Sequence, residues 1–290
     1  MGSPFNISLL ALAMLAFAGN SLLCRVALKG GAMDAASFTT VRLVSGAITL
    51  AALVWLQRKP GPQAARTALL PGDGWSAVAL FVYAAGFSFA YLSMSAATGA
   101  LLLFGAVQAT MIAWGLYCGE RLSLRQLAGF ALAVAGLVVL MLPGVAAPGL
   151  AGSAAMLGAG VAWGAYSLRG RRPSGPASAD PTAVTAGNFI RTVPMALALS
   201  AVALPQLHIT SSGLLYAVAS GALTSGVGYA VWYRVLPTLQ ATHAATVQLS
   251  VPVIAAVGGV VLLGEAATWH MALSGCAILG GIGLVIWNKA

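Results

Sequence analysis

Ten apolar runs fill this chain, separated only by short polar or Pro/Gly-rich breaks; they fall roughly at 6–28, 35–57, 75–94, 97–118, 122–142, 150–169, 182–204, 212–235, 239–263 and 269–288. A helix rises ~1.5 Å per residue, so about 20 residues match the ~30 Å hydrocarbon core of a bilayer. Only 7% of the 290 residues are charged, against about a quarter in a soluble domain. Such a chain cannot cover its apolar surface in water, so its solvent is lipid. Lipid offers no partner to a backbone N–H or C=O, and continuous helices satisfy both internally. The alternation of a membrane barrel is absent from the sequence. The expected fold is an all-α polytopic membrane protein of ten transmembrane helices.

Two apolar stretches are too long for one crossing. Trp75–Cys118 needs a turn, placed at "SMSAATG" (Ser93–Gly99), and Ser212–Leu263 needs one at "VLPTLQAT" (Val235–Thr242). The most loop-like connection is "RGRRPSGPASADP", from Arg169 to Pro181. The N-terminus has no basic n-region or convincing cleavage site, so the first run is expected to stay as a helix.

The net charge of +9 is spread singly or in short groups between apolar runs, with no basic stripe and no interleaved aromatic platform. That distribution argues against a nucleic-acid partner and reads as a topology signal. Cys24, Cys118 and Cys276 are far apart and form no metal-binding spacing, so they read as packing residues. No metal site and no cofactor is expected.

The chain repeats itself. Gly119-Glu120 matches Gly264-Glu265 at an offset of 145, and at that offset "FAGN" from Phe17 meets "AWGAY" from Ala162. Thr98-Gly99-Ala100 meets Thr242-His243-Ala244 at 144, and Arg42 meets Arg191 at 149. The reading is two five-helix repeats, residues 1–145 and 146–290. Five is odd, so the second repeat should run upside down relative to the first. Basic residues test this through their bias to cytoplasmic loops. With the N-terminus inside, the inner segments hold Arg58, Lys59, Arg66, Arg121, Arg125, Arg169, Arg171, Arg172, Arg234 and Lys289, and the outer ones hold Arg25 and Lys29. The repeats are expected to be inverted, with both termini cytoplasmic.

Five pieces in order, "GER…GFALAVAG", "GEA…GCAILGG", "AWGAY", "FTTVRLVSGA" with "NFIRTVPMALA", and "QLSVPVIAAVGGVVLLGE", resemble the drug/metabolite transporter superfamily, in its EamA-type ten-helix branch. Within that branch the chain is similar to the YddG-type exporters of aromatic amino acids and methionine. The fourth helix departs from the pattern: "FGAVQA" stands where the ninth carries "SVPV" and Pro252. The resemblance implies a transporter, not an enzyme, in a bacterial inner membrane. It implies a central cavity lined by helices 1, 3, 4, 6, 8 and 9, with helices 5 and 10 as peripheral supports. Inverted repeats supply two related conformations, with substrate near mid-membrane at their interface.

Candidate residues carry both functional and structural readings. Glu120 and Glu265 read as proton carriers or as anchors for the N-terminus of the helix that follows each; the second is preferred, since they belong to opposite faces. Arg42 and Arg191, each within a turn or two of opposite surfaces, read as structural cations or as contacts for a substrate carboxylate. His243 is the histidine placed well inside a span; it reads as satisfied by a neighbouring helix, which is preferred, or as the candidate carrier if transport is proton-coupled. Asn20, Tyr83, Phe87, Tyr91, Gln108, Trp163, Tyr166, Tyr229, Trp232, His243, Gln248 and Ser250 are the cavity candidates, with Tyr83, Phe87 and Tyr91 forming one stripe at intervals of four. Trp75, Trp269 and Trp287 read as an interfacial belt. Gly115/Gly119 and Gly160/Gly164 have the spacing of close helix contacts, and Pro252 reads as a bend or hinge within the ninth helix.

The function these residues and the resemblance suggest is export of small metabolites, most of all amino acids and their analogues. A drug or sugar-phosphate and nucleotide-sugar carrier is the alternative. An intramembrane enzyme lacks a nucleophile–base set, and a channel lacks a ring or filter motif. The expected partners are the lipid bilayer and a small-molecule substrate; the oligomeric state stays open, a monomer being compatible.

Overall fold

A computed structural model describes residues 4–57, 71–119, 121, 123–141, 149–170, 180–235 and 247–286. The described residues form helices throughout: α1 Pro4–Lys29, α2 Ala35–Gln57, α3 Gly74–Ala90, α4 Ala96–Tyr117, α5 Leu124–Met141, α6 Leu150–Gly170, α7 Pro181–Val202, α8 Ser211–Val235, α9 Ser250–Leu263 and α10 Trp269–Ile286. No strand is present among them; one isolated bridge joins Met33 and Ile209. By length and composition α1, α2, α4 and α8 can each cross a membrane, and α3, α5, α9 and α10 are shorter apolar helices. Every expected span therefore has its helix. The described part of the ninth begins late, because 239–246 of that span lie outside the described residues, as does most of the turn at Val235–Thr242.

Local chemistry sets the helix ends. Asp73, Ser95, Asp180 and Thr210 cap α3, α4, α7 and α8 by accepting a backbone N–H from three residues on. Asp34 does the same for α2 through Ser37, and its other oxygen accepts the His208 N–H of the α7–α8 loop. Burial pushes the Asp34 carboxyl up, but these bonds outweigh it and hold the group below its ordinary value. The turn expected at Ser93–Gly99 falls between Tyr91 and Ser95, so α3 stops four residues before the end of its span. The two Gly-Glu pairs share one backbone feature: Gly119 has φ 91° and Gly264 φ 61°, a conformation open to glycine that ends the preceding helix. Gly119 is thus a helix terminator; a Cβ there would meet nothing within 4 Å, so it is not part of a helix-packing face.

Small residues let helices approach closely. Gly160 and Gly164 press α6 onto Leu103, Ala106 and Thr110 of α4, where a Cβ would stand 2.5–2.9 Å from its neighbours. Gly129 and Gly281 bring α5 and α10 into mutual backbone contact, and these two helices pack chiefly on each other. Trp75 and Trp269 are exposed, as an interfacial belt requires; Trp287 lies outside the described residues.

One feature of α8 is absent from the sequence expectation. Ser220–Val227 is a π-helix inserted into the rod, followed by Gly228–Val235 in α geometry. Its glycines allow the tight approach: a Cβ on Gly221 would collide with the Arg42 carbonyl and the Ser45 hydroxyl of α2. Such inserts recur at functional positions, because they re-aim side chains that a regular helix would turn away.

Candidate functional site at the centre of the bundle

The polar residues of the interior converge on one place. From α1 comes Asn20, from α2 Arg42, from α3 Tyr83 and Phe87, from α6 Trp163, and from α8 Ser220, Thr224, Ser225 and Tyr229. The Tyr83 hydroxyl accepts from Arg42 Nη2 at 3.0 Å and from Asn20 Nδ2 at 3.4 Å. Asn20 Oδ1 accepts from Ser220 Oγ at 2.7 Å and Thr224 Oγ1 at 3.3 Å, both on the π segment. Arg42 Nε donates to Ser225 Oγ at 3.2 Å. Rings enclose the cluster: Trp163 lies 4.8 Å from Tyr83 and 5.1 Å from Tyr229, and Phe17 meets Tyr229 and Trp232 edge-on. The guanidinium carbon of Arg42 stands 5.2 Å from the Tyr83 ring centre and 5.0 Å from that of Phe87. At the middle is a void of about 20 Å³, bounded by Asn20, Tyr83, Phe87, Trp163, Thr224 and Tyr229 among others. That is space for a water molecule and not for a metabolite.

Two ion pairs bracket this centre at opposite ends of α3, whose 17 residues span about 26 Å. At the Tyr91 end, Arg25 Nε donates to Glu265 Oε1 at 3.0 Å and its Nη1 donates to Tyr91 O at 2.9 Å. Glu265 Oε2 accepts the Ala96 N–H at 2.8 Å. At the Asp73 end, Arg169 Nη2 donates to Asp73 Oδ1 at 2.8 Å and its Nε donates to the Ser76 hydroxyl. Asn188 Oδ1 accepts the Asp73 N–H there, and its amide nitrogen donates to Tyr166. Burial acts to raise the Asp73 carboxyl; the Ser76 bonds and the Arg169 charge overcome this and leave it below its ordinary value. The two ends also differ in space. A cavity of about 700 Å³ opens at the Arg169 end, lined by Thr110, Ala113, Trp114, Tyr117, Ala165, Leu168 and Arg169.

Several expected positions come out differently. Glu265 does not hold the start of the next helix: Thr268 accepts the Met271 N–H there, while the left-handed Gly264 turns the glutamate back to cap α4. Arg42 and Arg191 are not equivalent. Arg42 is 2% exposed and lies against the Tyr83 and Phe87 rings, whereas Arg191 is exposed and reaches back to its own helix at Gly187 O. Tyr91 continues the stripe with Phe87 at 4.8 Å, yet its hydroxyl donates to Ala96 O, so it fills the α3–α4 turn and not the central void. Tyr166 belongs to the Asn188 network near the Arg169 end. Gln108 is buried on α4; Gln248 and Ser250 are half-buried at the start of α9, with Ser250 donating to Val247 O. Pro252 is in the first turn of α9, just after an interruption at Leu249 that separates α9 from helical Val247 and Gln248, so a local break accompanies the proline within the ninth span. Glu120 and His243 lie outside the described residues.

The sequence reading missed Arg25 as a pairing residue, and missed Ser220, Thr224 and Ser225. Three hydroxyls among glycines in "SGALTSG" were the available signal, but a regular helical wheel keeps only Ser220 and Thr224 together and turns Ser225 away.

The comparisons with known proteins agree with a transport architecture. A protein of Pseudomonas aeruginosa that is itself uncharacterized is 53% identical over 282 residues, covering 97% of this chain and 94% of that one. The threonine/homoserine exporter RhtA of Salmonella typhimurium is 35% identical over 133 residues, which are 45% of this chain and 43% of the exporter. One crystal structure shares the fold with a TM-score of 0.66 at 21% identity, covering 96% of this chain and 98% of its own. The EamA-like transporter family matches twice, over residues 4–142 and 150–287. The chain belongs to the EamA-like transporter family, as an all-helical membrane transporter with two copies of the family's repeat.

Proposed function

We propose that this transporter exports small, partly apolar metabolites, foremost amino acids and their analogues, from the bacterial cytoplasm across the inner membrane by alternating access. One observation supports the reading: a polar, aromatic centre between the two halves has the buried Arg25–Glu265 pair towards one end, while a 700 Å³ cavity lined by α4 and α6 lies at the other. A carrier needs such asymmetry, because a path open at both ends is a channel. The centre draws Asn20, Arg42 and Tyr83 from the first half, and Trp163, Ser225 and Tyr229 from the second. A relative rocking of the halves would therefore remake it. The basic residues favour inverted repeats with both termini cytoplasmic, which turns the Arg169 end to the cytoplasm. In that orientation the cavity at the Arg169 end would face the cytoplasm. Similarity to a threonine/homoserine exporter over part of the chain favours amino acids over the drug or sugar-phosphate alternative.

Purified protein in liposomes tests this. Saturable counterflow of threonine, homoserine, methionine or phenylalanine is expected, with and without an imposed pH gradient. Absence of flux for all four would exclude the amino-acid reading, and non-saturable conductance would exclude a carrier.

A further inference from the structure

We propose that Arg42 is the subsite for the carboxylate of a small zwitterionic metabolite, a deepening of the reading above that rests on the same central site. The starting point is charge accounting. The chain has five acidic residues. Four are described, and each is engaged elsewhere: Asp34 with Ser37 and His208, Asp73 with Ser76 and Arg169, Asp180 with Ala183, and Glu265 with Arg25 and Ala96. Among the described residues none forms an ion pair with Arg42. The guanidinium is 2% exposed, donates only to two neutral hydroxyls, and leaves Nη1 buried with no hydrogen-bond partner.

A buried cation without a counter-ion is expensive, and more so when one of its nitrogens is unsatisfied. Ring faces from Tyr83 and Phe87 relieve part of this, but aromatic faces do not complete a planar fork built for two parallel bonds to a carboxylate.

A second, independent observation points the same way. The π segment of α8 exists where it meets this arginine: Gly221 packs on the Arg42 carbonyl, and Ser225 is aimed at Nε. The same segment sends Ser220 and Thr224 to Asn20 Oδ1, next to the 20 Å³ void. The rest of the site suits the other end of a zwitterion. Tyr83, Trp163, Tyr229 and Asn20 line the void, and aromatic rings and an amide oxygen both attract an ammonium. The void is too small for the metabolite, so the conformation described is the collapsed one. Binding replaces the hydroxyl contacts of Arg42 by a carboxylate as α2 and α3 separate from α8.

The test compares acids with their amides. In detergent-solubilised full-length protein, ligand binding is read by intrinsic tryptophan fluorescence and by thermal stabilisation, using threonine, methionine and phenylalanine against their carboxamides, and 3-phenylpropionate against 3-phenylpropionamide. The acids are expected to bind roughly 10- to 100-fold more tightly than the amides. Arg42→Gln should abolish that preference, and Arg42→Lys should retain part of it. Equal binding of acid and amide by the wild-type protein overturns the proposal, even if amino acids are transported. So does a preference unchanged in Arg42→Gln; a purely structural arginine would lower stability and leave the ratio where it was. Absence of binding by every acid overturns it too. Selective binding of 3-phenylpropionate without any amino-acid flux would keep the carboxylate subsite and remove the amino-acid reading of function. If Arg42→Gln does not fold, the acid/amide ratio of Arg42→Lys decides: a ratio equal to wild type sinks a role for the planar fork.

Discussion

Arg25 Nε and Glu265 Oε1 meet at 3.0 Å although 240 residues separate them in sequence, and their side chains are only 11% and 6% exposed. The pair ties α1 to the α9–α10 connection, and its other hydrogen bonds run to Tyr91 O and the Ala96 N–H. Helix α1, the α3–α4 turn and the α9–α10 connection are thereby fastened at one point. Cys24, the residue before Arg25, is fully buried beneath it, while Cys118 and Cys276 are exposed. With Cys118→Ser and Cys276→Ser in place, Cys24 reports on the closure. Glu265→Gln leaves Arg25 part-buried without its counter-ion, a loss of up to about 3 kcal/mol. Maleimide labelling of Cys24 should accelerate by roughly tenfold or more in Glu265→Gln. An unchanged rate would show that the pair does not hold this end shut.

Gly264 is a backbone requirement, not a packing one. Its φ is 61°, and a Cβ there meets nothing within 4 Å. Gly264→Ala should therefore cost only the left-handed conformation, about 1 kcal/mol of stability, and Gly264→Asn less. Because this turn aims Glu265 at Ala96, the alanine variant should also speed Cys24 labelling. Thermal unfolding in detergent and the labelling rate together check both halves of the expectation.

The division between what could and could not be read from residues alone follows the range of the forces involved. Burial of about 20 consecutive apolar residues is a local property, so helix existence and order were legible. The repeat of Gly-Glu was legible too, and the positive φ at both glycines explains why it recurs. The partner of Glu265 was not, since it depends on chain reversal at Gly264 and on an arginine 240 residues away. Arg42 illustrates the same limit: its likeness to Arg191 in sequence gives no hint that one is buried and the other exposed. The π insert was hidden because periodicity assumes 3.6 residues per turn, and this segment departs from it.

At the opposite end, Asp73 combines an N-cap with a pair to Arg169 that is 43% exposed on the arginine side chain. Solvent and salt weaken the pair, so Asp73→Asn, which can still accept the Ser76 N–H, should cost about 0.5 kcal/mol. Asp73→Ala also removes the cap and should cost about 1 kcal/mol more. The sign of the pH effect follows from the depressed carboxyl. Its contribution is present above the ordinary carboxylate range near pH ~3.9 and disappears as pH falls through the lower folded value. The stability gap between wild type and Asp73→Asn should therefore close below about pH 4 and stay constant from pH ~5 upward. A gap independent of pH would exclude an ionic contribution.

The Tyr83 hydroxyl is the hub of the central network, accepting from both Arg42 and Asn20. Tyr83→Phe keeps the ring contact with Trp163 and removes only that oxygen. Two buried donors then lose a partner, at a cost of about 2–3 kcal/mol. Asn20→Ala should couple to it, the double variant losing less than the sum of the singles by about 1 kcal/mol. Denaturant unfolding in detergent measures the cycle. Additive losses would mean that the hydroxyl serves the arginine alone.

Transport itself is expected to depend on the large cavity. Ala113 of α4 and Ala165 of α6 face it beside Trp114 and Leu168, and its 700 Å³ can accept an indole without displacing a packed neighbour. Ala165→Trp should therefore leave the unfolding temperature unchanged, since small-to-large strain arises where space is already filled. Substrate counterflow in liposomes should fall roughly tenfold or more if the proposed loading route runs from this cavity to the centre. Gly160→Leu is the contrasting variant: there an added side chain meets Ala106 and the Leu103 carbonyl of α4 at once, so stability and flux should fall together. If Ala165→Trp transports at the wild-type rate while folding normally, substrate does not pass through the cavity at the Arg169 end, and the loading route must be sought on another face of α4 and α6.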